Sequence, residues 1–261
     1  YVKNIGGILQ NLTSKTAINQ KKGYWFWPSQ QNFTLHISLG KELEVDDIVV
    51  LTGDYLSFVD KFLAEGYEVW CDLTDWKEGI NWDYFNYLKN KSVIFYVECV
   101  NESIDYHDVF SKMKKASSNK IAVWTDNPGI VNDSNVDIYT GMWYPFLDPR
   151  SEYFGWNETT YNKEEFIERF SYFLWDRRYN FNANKPCYIW IQTFAGGGFN
   201  WTYPKYEWLE LMLELVQSYP FQGILLFSLE NASGIKIYEG LKNHPEQYKL
   251  IRYYPYSPYY Y

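Results

Sequence analysis

The chain has 261 residues, of which 46% are hydrophobic, and its formal net charge is −8. This length suits one large α/β domain. The acidic balance argues against nucleic acid or an anionic membrane as a main partner, and no apolar run reaches the 18 residues that would predict a membrane span.

The first 32 residues show no clear hydrophobic period, so we predict an N-terminal extension (1–32) that packs on the main domain. Within it, Tyr24–Trp27 is interpreted as a short aromatic strand or an anchor. Thr34–Leu39 alternates polar and apolar residues and is predicted as strand one, and Asp47–Thr52 as strand two. Only residues 40–46 separate these two strands, so the first crossover helix is expected to be missing.

From residue 55 onward, predicted helices and strands alternate. Apolar residues recur at helical spacing in 55–65, 82–89, 103–116 and from 163, and the predicted strands are 67–71, 92–99, 120–125 and 136–143. Residues 186–231 then form the clearest unit, with a strand to Phe194, a helix over 204–218 and a strand over 222–230. Both strands are nearly continuous apolar runs, as expected for a parallel sheet that is covered on both faces. A last helical segment is predicted near 235–243.

Eight strands that mostly alternate with helices predict an α/β fold, a single (β/α)8 TIM-like barrel with an incomplete first βα unit. The barrel is assigned to 33–245 and a Tyr/Pro-rich C-terminal tail to 246–261. A doubly wound open sheet is the alternative. It would normally carry a Gly-rich turn after the first strand, which this sequence lacks.

Carboxylates and aromatic residues follow the predicted strands, at the end of a barrel where active sites lie. We expect Glu98 to point into the barrel mouth, because it shares the alternation of Ile94 and Tyr96. Cleavage of a glycosidic bond needs two carboxyl groups, and Trp and Tyr rings can stack on sugars. The predicted catalytic residues are Glu98, Asp126 and Glu230, and the predicted substrate-binding residues are Asp72, Trp124, Trp143, Tyr144 and Gln192. The alternative is that strand-end carboxylates are solvated caps at helix N-termini.

These residue types at these positions resemble the TIM-barrel glycoside hydrolases over roughly residues 33–240. One clan of those enzymes carries its acid/base Glu in an Asn-Glu pair after strand 4, and Asn101-Glu102 is similar to that pair. The clan's nucleophile is a Glu at the end of strand 7, where this chain has Gln192. Other barrel hydrolases use strands 4 and 5, and that resemblance implies Glu98 and Asp126 as the pair.

Metal and cofactor chemistry finds little support in the sequence. Three His residues and three Cys residues occur, and their spacing matches no zinc motif. Cys71, Cys99 and Cys187 fall inside predicted strands and are interpreted as buried small side chains. No metal and no cofactor are predicted.

Glycosylation sequons are in excess. Asn-x-Ser/Thr begins at Asn11, Asn32, Asn90, Asn101, Asn132, Asn157, Asn200 and Asn231. Composition alone would give roughly two, so we predict an N-glycosylated protein that is exported to the cell surface or the extracellular space. The wealth of Tyr and Asn with few Cys is also similar in style to surface glycoproteins of archaea and their viruses.

A rival interpretation is a non-catalytic surface, filament or virion glycoprotein that keeps a hydrolase-like barrel. Several sequons fall in loops at the predicted active face, where glycans would crowd a polymeric substrate. Residues 252–261 contain six Tyr and two Pro. The predicted partners are therefore carbohydrate, or a second copy of the chain bound through aromatic surface and this tail.

Overall fold

The organising feature of the computed structural model is a closed barrel of eight parallel strands. The structure describes residues 20–28, 31–144, 162–181, 184–196, 202–227, 229 and 238–254. The barrel strands are β1 (Lys21–Phe26), β2 (Ile48–Leu51), β3 (Glu68–Asp72), β4 (Ile94–Glu98), β5 (Ile121–Trp124), β6 (Ile138–Met142), β7 (Cys187–Ile191) and β8 (Gly223–Leu226). The predicted TIM-like α/β barrel is confirmed.

Helices follow the strands in the described residues. They are α1 (Phe33–Leu43), α2 (Val59–Ala64), α3 (Trp82–Leu88), α4 (Tyr106–Ala116), α5 (Pro128–Val131), α6 (Lys163–Trp175), α7 (Tyr206–Gln217) and α8 (Pro245–Tyr253). A π-helix, Asp176–Phe181, extends α6, and Leu241–Asn243 is a 3-10 turn. Two short antiparallel ribbons pair Thr74–Asp75 with Gly79–Ile80 and Phe194–Gly196 with Tyr238–Gly240. No helix in these ranges is long and apolar enough to cross a membrane.

The first barrel strand lies inside the segment that the sequence assigned to an extension. Strand β1 pairs in parallel with β8 on one side and β2 on the other, which closes the barrel. Gly23 makes the second contact possible, since a Cβ at this position would lie 2.6 Å from the Cβ of Ile48. The prediction of a barrel that starts at residue 33 is therefore corrected to a start at Lys21.

The prediction of a strand over Thr34–Leu39 was wrong, because this segment belongs to helix α1. The Oδ1 atom of Asn32 accepts a hydrogen bond from the backbone N–H of Leu35 at 3.0 Å and caps the helix. The helix buries His36, Gly40 and Leu43 at helical spacing. The first βα unit, formed by β1 and α1, is thus complete. The polar–apolar alternation of Thr34–Leu39 does not reflect a strand.

Two apolar layers hold the barrel, one inside it and one between strands and helices. Large aromatic side chains dominate the inner layer, which contains Ile48, Val50, Trp70, Ile94, Tyr96, Ala122, Ile138, Tyr188, Trp190 and Leu225. Residues of the opposite parity pack against the helices. This alternation decides which strand-end side chains reach the barrel mouth.

The C-terminal helix lies later than the sequence predicted. Pro245 begins α8, which suits a first helical turn, so the helix occupies residues that were assigned to the tail. The buried Lys22 side chain reaches the backbone carbonyls of Leu43, Ile251 and Arg252 at 3.4 Å and ties this helix to β1 and α1. Residues 255–261 of the predicted tail lie outside the described residues.

Candidate active site

Two carboxyl groups end neighbouring strands of the barrel. Asp72 is the last residue of β3 and Glu98 the last of β4. Both continue the inward alternation of Trp70 and Tyr96, which lie in the inner layer. Asp72 is in register with Tyr96, so Glu98 stands one layer nearer the mouth. Strand spacing and rise place their Cα atoms roughly 8 Å apart.

Asp72 is held by three hydrogen-bond donors. Its Oδ1 accepts from the backbone N–H of Thr74 at 2.9 Å and from the Thr74 hydroxyl at 2.6 Å. Its Oδ2 accepts from the Thr52 hydroxyl at 2.9 Å. Burial raises the pKa of Asp72, and the three donors oppose that rise because they stabilise the ionised form.

Glu98 has much weaker support for a negative charge. Burial and the nearby charge of Asp72 raise its pKa from 4.5 to about 8. The Tyr96 hydroxyl donates to Oε1 across a long 3.5 Å and lowers the pKa only in part. A carboxyl in this environment keeps its proton at neutral pH.

The two environments separate the roles of the pair. The charge with more hydrogen-bond donors is that of Asp72, so Asp72 ionises first and its charge then holds the proton on Glu98. A protonated carboxyl next to an ionised one is the arrangement that acid-assisted cleavage of a C–O bond requires. The sequence predicted Glu98 as the acid and placed Asp72 among the substrate contacts.

Aromatic rings form the walls of the mouth. Trp124 is in register with Glu98 on the adjacent strand and packs on the inner layer, so a flat indole stands beside this carboxyl. Tyr144 lies farther round the mouth, where its ring meets Phe194 at 4.9 Å and Phe227 at 5.9 Å between centroids. Phe227 also meets Trp25 at 4.8 Å. These rings lie near the C-terminal ends of β6, β7, β8 and β1.

Two predicted site residues, Asp126 and Trp143, make their contacts outside the barrel mouth. The Asp126 side chain is 69% exposed and forms an ion pair with Arg177 at 2.7 Å. The Trp143 ring packs on Phe170 and Phe173 of α6, at 5.6 and 5.5 Å between centroids. The structure therefore does not bring either residue to Glu98.

Gln192 occupies the end of β7 but is fully buried. Its side-chain amide donates to the backbone carbonyl of Thr202 at 2.9 Å and to that of Phe194 at 3.5 Å. The first of these bonds ties the end of β7 to the backbone of Thr202, ahead of α7. The predicted catalytic residue Glu230 lies outside the described residues.

Sequence reasoning missed Thr52 and Thr74, which position Asp72. Thr74 could have been found, because an Asp with Thr two residues later is a common side-chain-to-backbone turn. Thr52 reaches Asp72 across twenty residues of sequence, and only the pairing of β2 with β3 brings them together.

The described sequons differ in exposure. Asn32, Asn90 and Asn132 are exposed, whereas Asn101 is half-buried and its amide donates to the Trp76 carbonyl at 2.7 Å. The other four sequons, at Asn11, Asn157, Asn200 and Asn231, lie outside the described residues. Among the residues that the structure describes, no group of three or more His, Cys, Asp or Glu could hold a metal ion.

Comparison with known protein families finds none whose sequence pattern matches this chain, and comparison with curated proteins finds no relative. Solved structures do match. One is a candidate alpha-L-fucosidase from Bacteroides thetaiotaomicron, with a TM-score of 0.57 and 11% sequence identity over 92% of this chain and 97% of that one. At this identity the likeness shows the fold, a barrel of the kind found in glycoside hydrolases.

Proposed function

We propose that this chain hydrolyses glycosidic bonds, with Glu98 as the general acid and Asp72 as its ionised partner. The observation that carries the proposal is the unequal environment of two carboxyl groups on adjacent strand ends. Three donors stabilise the charge on Asp72, while burial and that charge keep the proton on Glu98. The barrel that the chain shares with a candidate fucosidase supports the class of reaction.

In the proposed reaction, the protonated Glu98 gives its proton to the glycosidic oxygen as the bond from this oxygen to the anomeric carbon breaks. Positive charge then develops on the sugar, and the Asp72 carboxylate stabilises it. Water supplies the hydroxyl that replaces the leaving group, and its remaining proton returns to the Glu98 carboxylate. The indole of Trp124 offers a flat apolar face for a sugar ring next to Glu98.

The test is hydrolysis of a panel of aryl glycosides that includes an alpha-L-fucoside. We expect Glu98→Gln to lower kcat by roughly two to four orders of magnitude. The loss should be smaller for a dinitrophenyl leaving group, which departs without a proton. Asp72→Asn should be slow with every leaving group.

Asp60→Asn is the matched control, since this exposed carboxylate lies on α2, away from the cleft, and pairs with Lys91 at 2.7 Å. It should keep kcat close to that of the parent. A Glu98→Gln enzyme as fast as the parent, or an Asp60→Asn enzyme as slow as Glu98→Gln, would refute the assignment.

We further propose that the protein is exported and N-glycosylated at the cell surface or outside the cell. The eight sequons support this, because composition predicts roughly two. Three sequon asparagines in the described residues are exposed, which leaves room for a glycan.

A second candidate function is a surface glycoprotein that no longer hydrolyses sugars. The aromatic cluster of Trp25, Tyr144, Phe194 and Phe227 supports it, because these rings pack on one another at the mouth. Gln192 supports it as well, because its amide is bound to backbone carbonyls. No turnover of any glycoside, together with self-association in solution, would favour this function over hydrolysis.

A further inference from the structure

A cleft of about 740 Å³ opens on the outside of the barrel mouth, between the segments that follow β4 and β5. Its volume is within the range of roughly 300–1,000 Å³ that is typical of small-molecule sites. Cys99 and Trp124 line the inner end, and the outer wall comes from the first turns of α4 and α5.

The cleft lies next to the candidate active site. Cys99 directly follows Glu98 in the chain, and Trp124 is in register with Glu98 on the neighbouring strand. The Trp124 indole therefore belongs to both places, since it packs on the inner layer of the barrel and lines the cleft. A ligand that stacks on Trp124 next to Glu98 can extend into the cleft.

The charged groups of the cleft are almost all hydrogen-bond acceptors. Glu102, Asp105, Asp126 and Asp133 line it, and among its described lining residues there is no Lys or Arg. The one histidine in the lining, His107, is paired with the Asp133 carboxylate at 2.5 Å. Arg177 offsets the charge of Asp126, so Glu102 and Asp105 leave the cleft with net negative charge.

We propose that this cleft binds the leaving-group side of the saccharide and selects sugars that are rich in donors, above all amino sugars. This inference rests on the proposed hydrolysis, which gives the cleft its place in the reaction. The kind of sugar is inferred from the residues that line the cleft. Carboxylates accept from hydroxyl and ammonium groups, and they repel the carboxylate of a uronic acid or a sulfate ester. An ammonium group would gain a charge-assisted bond that a neutral sugar lacks.

Calorimetric titration of the full-length Glu98→Gln protein tests this, because binding is then measured without turnover. The probes are three tetrasaccharides of equal length: a glucosamine tetramer, an N-acetylglucosamine tetramer and a galacturonic acid tetramer. We expect the strongest binding for the glucosamine tetramer and none for the galacturonic acid tetramer. Added salt should weaken the glucosamine complex, since the attraction is electrostatic.

A double variant, Glu102→Gln with Asp105→Asn, removes two charges and keeps the hydrogen-bonding shape. Asn at position 105 can still cap α4, as the Asp105 side chain does for the N–H of Asp108. The double variant should bind the glucosamine tetramer roughly three- to tenfold more weakly than the Glu98→Gln protein does. The matched control, Glu168→Gln with Glu207→Gln, removes two exposed charges on α6 and α7 and should leave binding unchanged.

Equal or stronger binding of the galacturonic acid tetramer would overturn the inference, as would equal losses in the two double variants or no binding of any probe. Failure of the proposed hydrolysis gives a different result. In that case the parent enzyme turns over no glycoside, while the order of binding among the three tetramers can still be measured.

Discussion

The Thr74 hydroxyl joins the Asp72 side chain to the backbone of Glu98. It donates to Oδ1 of Asp72 at 2.6 Å and accepts from the N–H of Glu98 at 2.9 Å. One side chain thereby sets the position of the first carboxyl group relative to the strand that carries the second. The link depends on a residue just beyond β3, in the first strand of a short ribbon.

Replacing Thr74 by Val should destabilise the ionised form of Asp72, because the hydroxyl that donates to this carboxylate at 2.6 Å is lost. The pKa of Asp72 then rises, and the acid limb of the pH profile of kcat/KM moves to higher pH. We expect kcat/KM near neutral pH to fall roughly tenfold. Thr74→Ser keeps the hydroxyl and should restore the parent profile, whereas superimposable profiles for the Val variant and the parent would contradict this role.

The raised pKa of Glu98 predicts a pH dependence of stability. Its pKa rises from 4.5 to about 8 in the folded chain, so the folded state holds a proton that the unfolded state has lost between these values. Stability must therefore decline as pH increases through this window, by at most about 1.4 kcal/mol per pH unit. The Glu98→Gln side chain does not titrate, so the variant lacks this contribution to the pH dependence of stability.

Urea unfolding of the parent and of Glu98→Gln at pH 5, 6, 7 and 8 measures the effect. The variant should gain stability relative to the parent as pH rises, and the gap should be largest at pH 8. A constant gap over this range would show that Glu98 titrates normally. The measurement needs no substrate, so it stands apart from the test of activity.

Most of the barrel could be predicted from the sequence because its strands are short apolar runs between amphipathic helices. The inward direction of Glu98 followed from simple alternation with Ile94 and Tyr96, which do lie inside the barrel. The partner of Glu98 was harder to predict. Asp72 and Asp126 both stand at strand ends, and their environments differ through contacts such as those of Thr52 and Arg177.

The first barrel strand was assigned to the extension for a local reason. Thr34–Leu39 alternates like a strand, yet Asn32 caps a helix there and residues four apart are buried. The true strand contains Gly23 and Lys22, which do not suggest a buried strand by composition. Gly23 is needed because Ile48 approaches closely, and Lys22 is accommodated because backbone carbonyls surround its amine. Neither reason is visible before the chain is folded.

The place of β1 in the barrel predicts that Gly23→Ala is strongly destabilising. The new Cβ would lie 2.6 Å from the Cβ of Ile48 and 2.7 Å from its carbonyl oxygen, so β1 and β2 would have to separate. We expect a loss of about 1–3 kcal/mol in the free energy of unfolding. Gly129→Ala is the control, since Gly129 is exposed in α5 and should change stability by no more than about 0.5 kcal/mol. Equal stability of the two variants would mean that residues 21–26 lie on the barrel surface instead.

Sequon occupancy should follow exposure and hydrogen bonding of the asparagine amide. Asn90 and Asn132 are exposed, whereas the Asn101 amide donates to the Trp76 carbonyl and its Oδ1 accepts from Ser103. A glycan at Asn101 would have to replace this arrangement at the edge of the cleft, so we expect Asn101 to be modified least of the three. Peptide mass spectrometry of natively produced protein, with enzymatic release of glycans in heavy-oxygen water, reports each site separately. An intact mass equal to the 31.3 kDa polypeptide would refute glycosylation altogether, and the highest occupancy at Asn101 would refute the link to its hydrogen bonds.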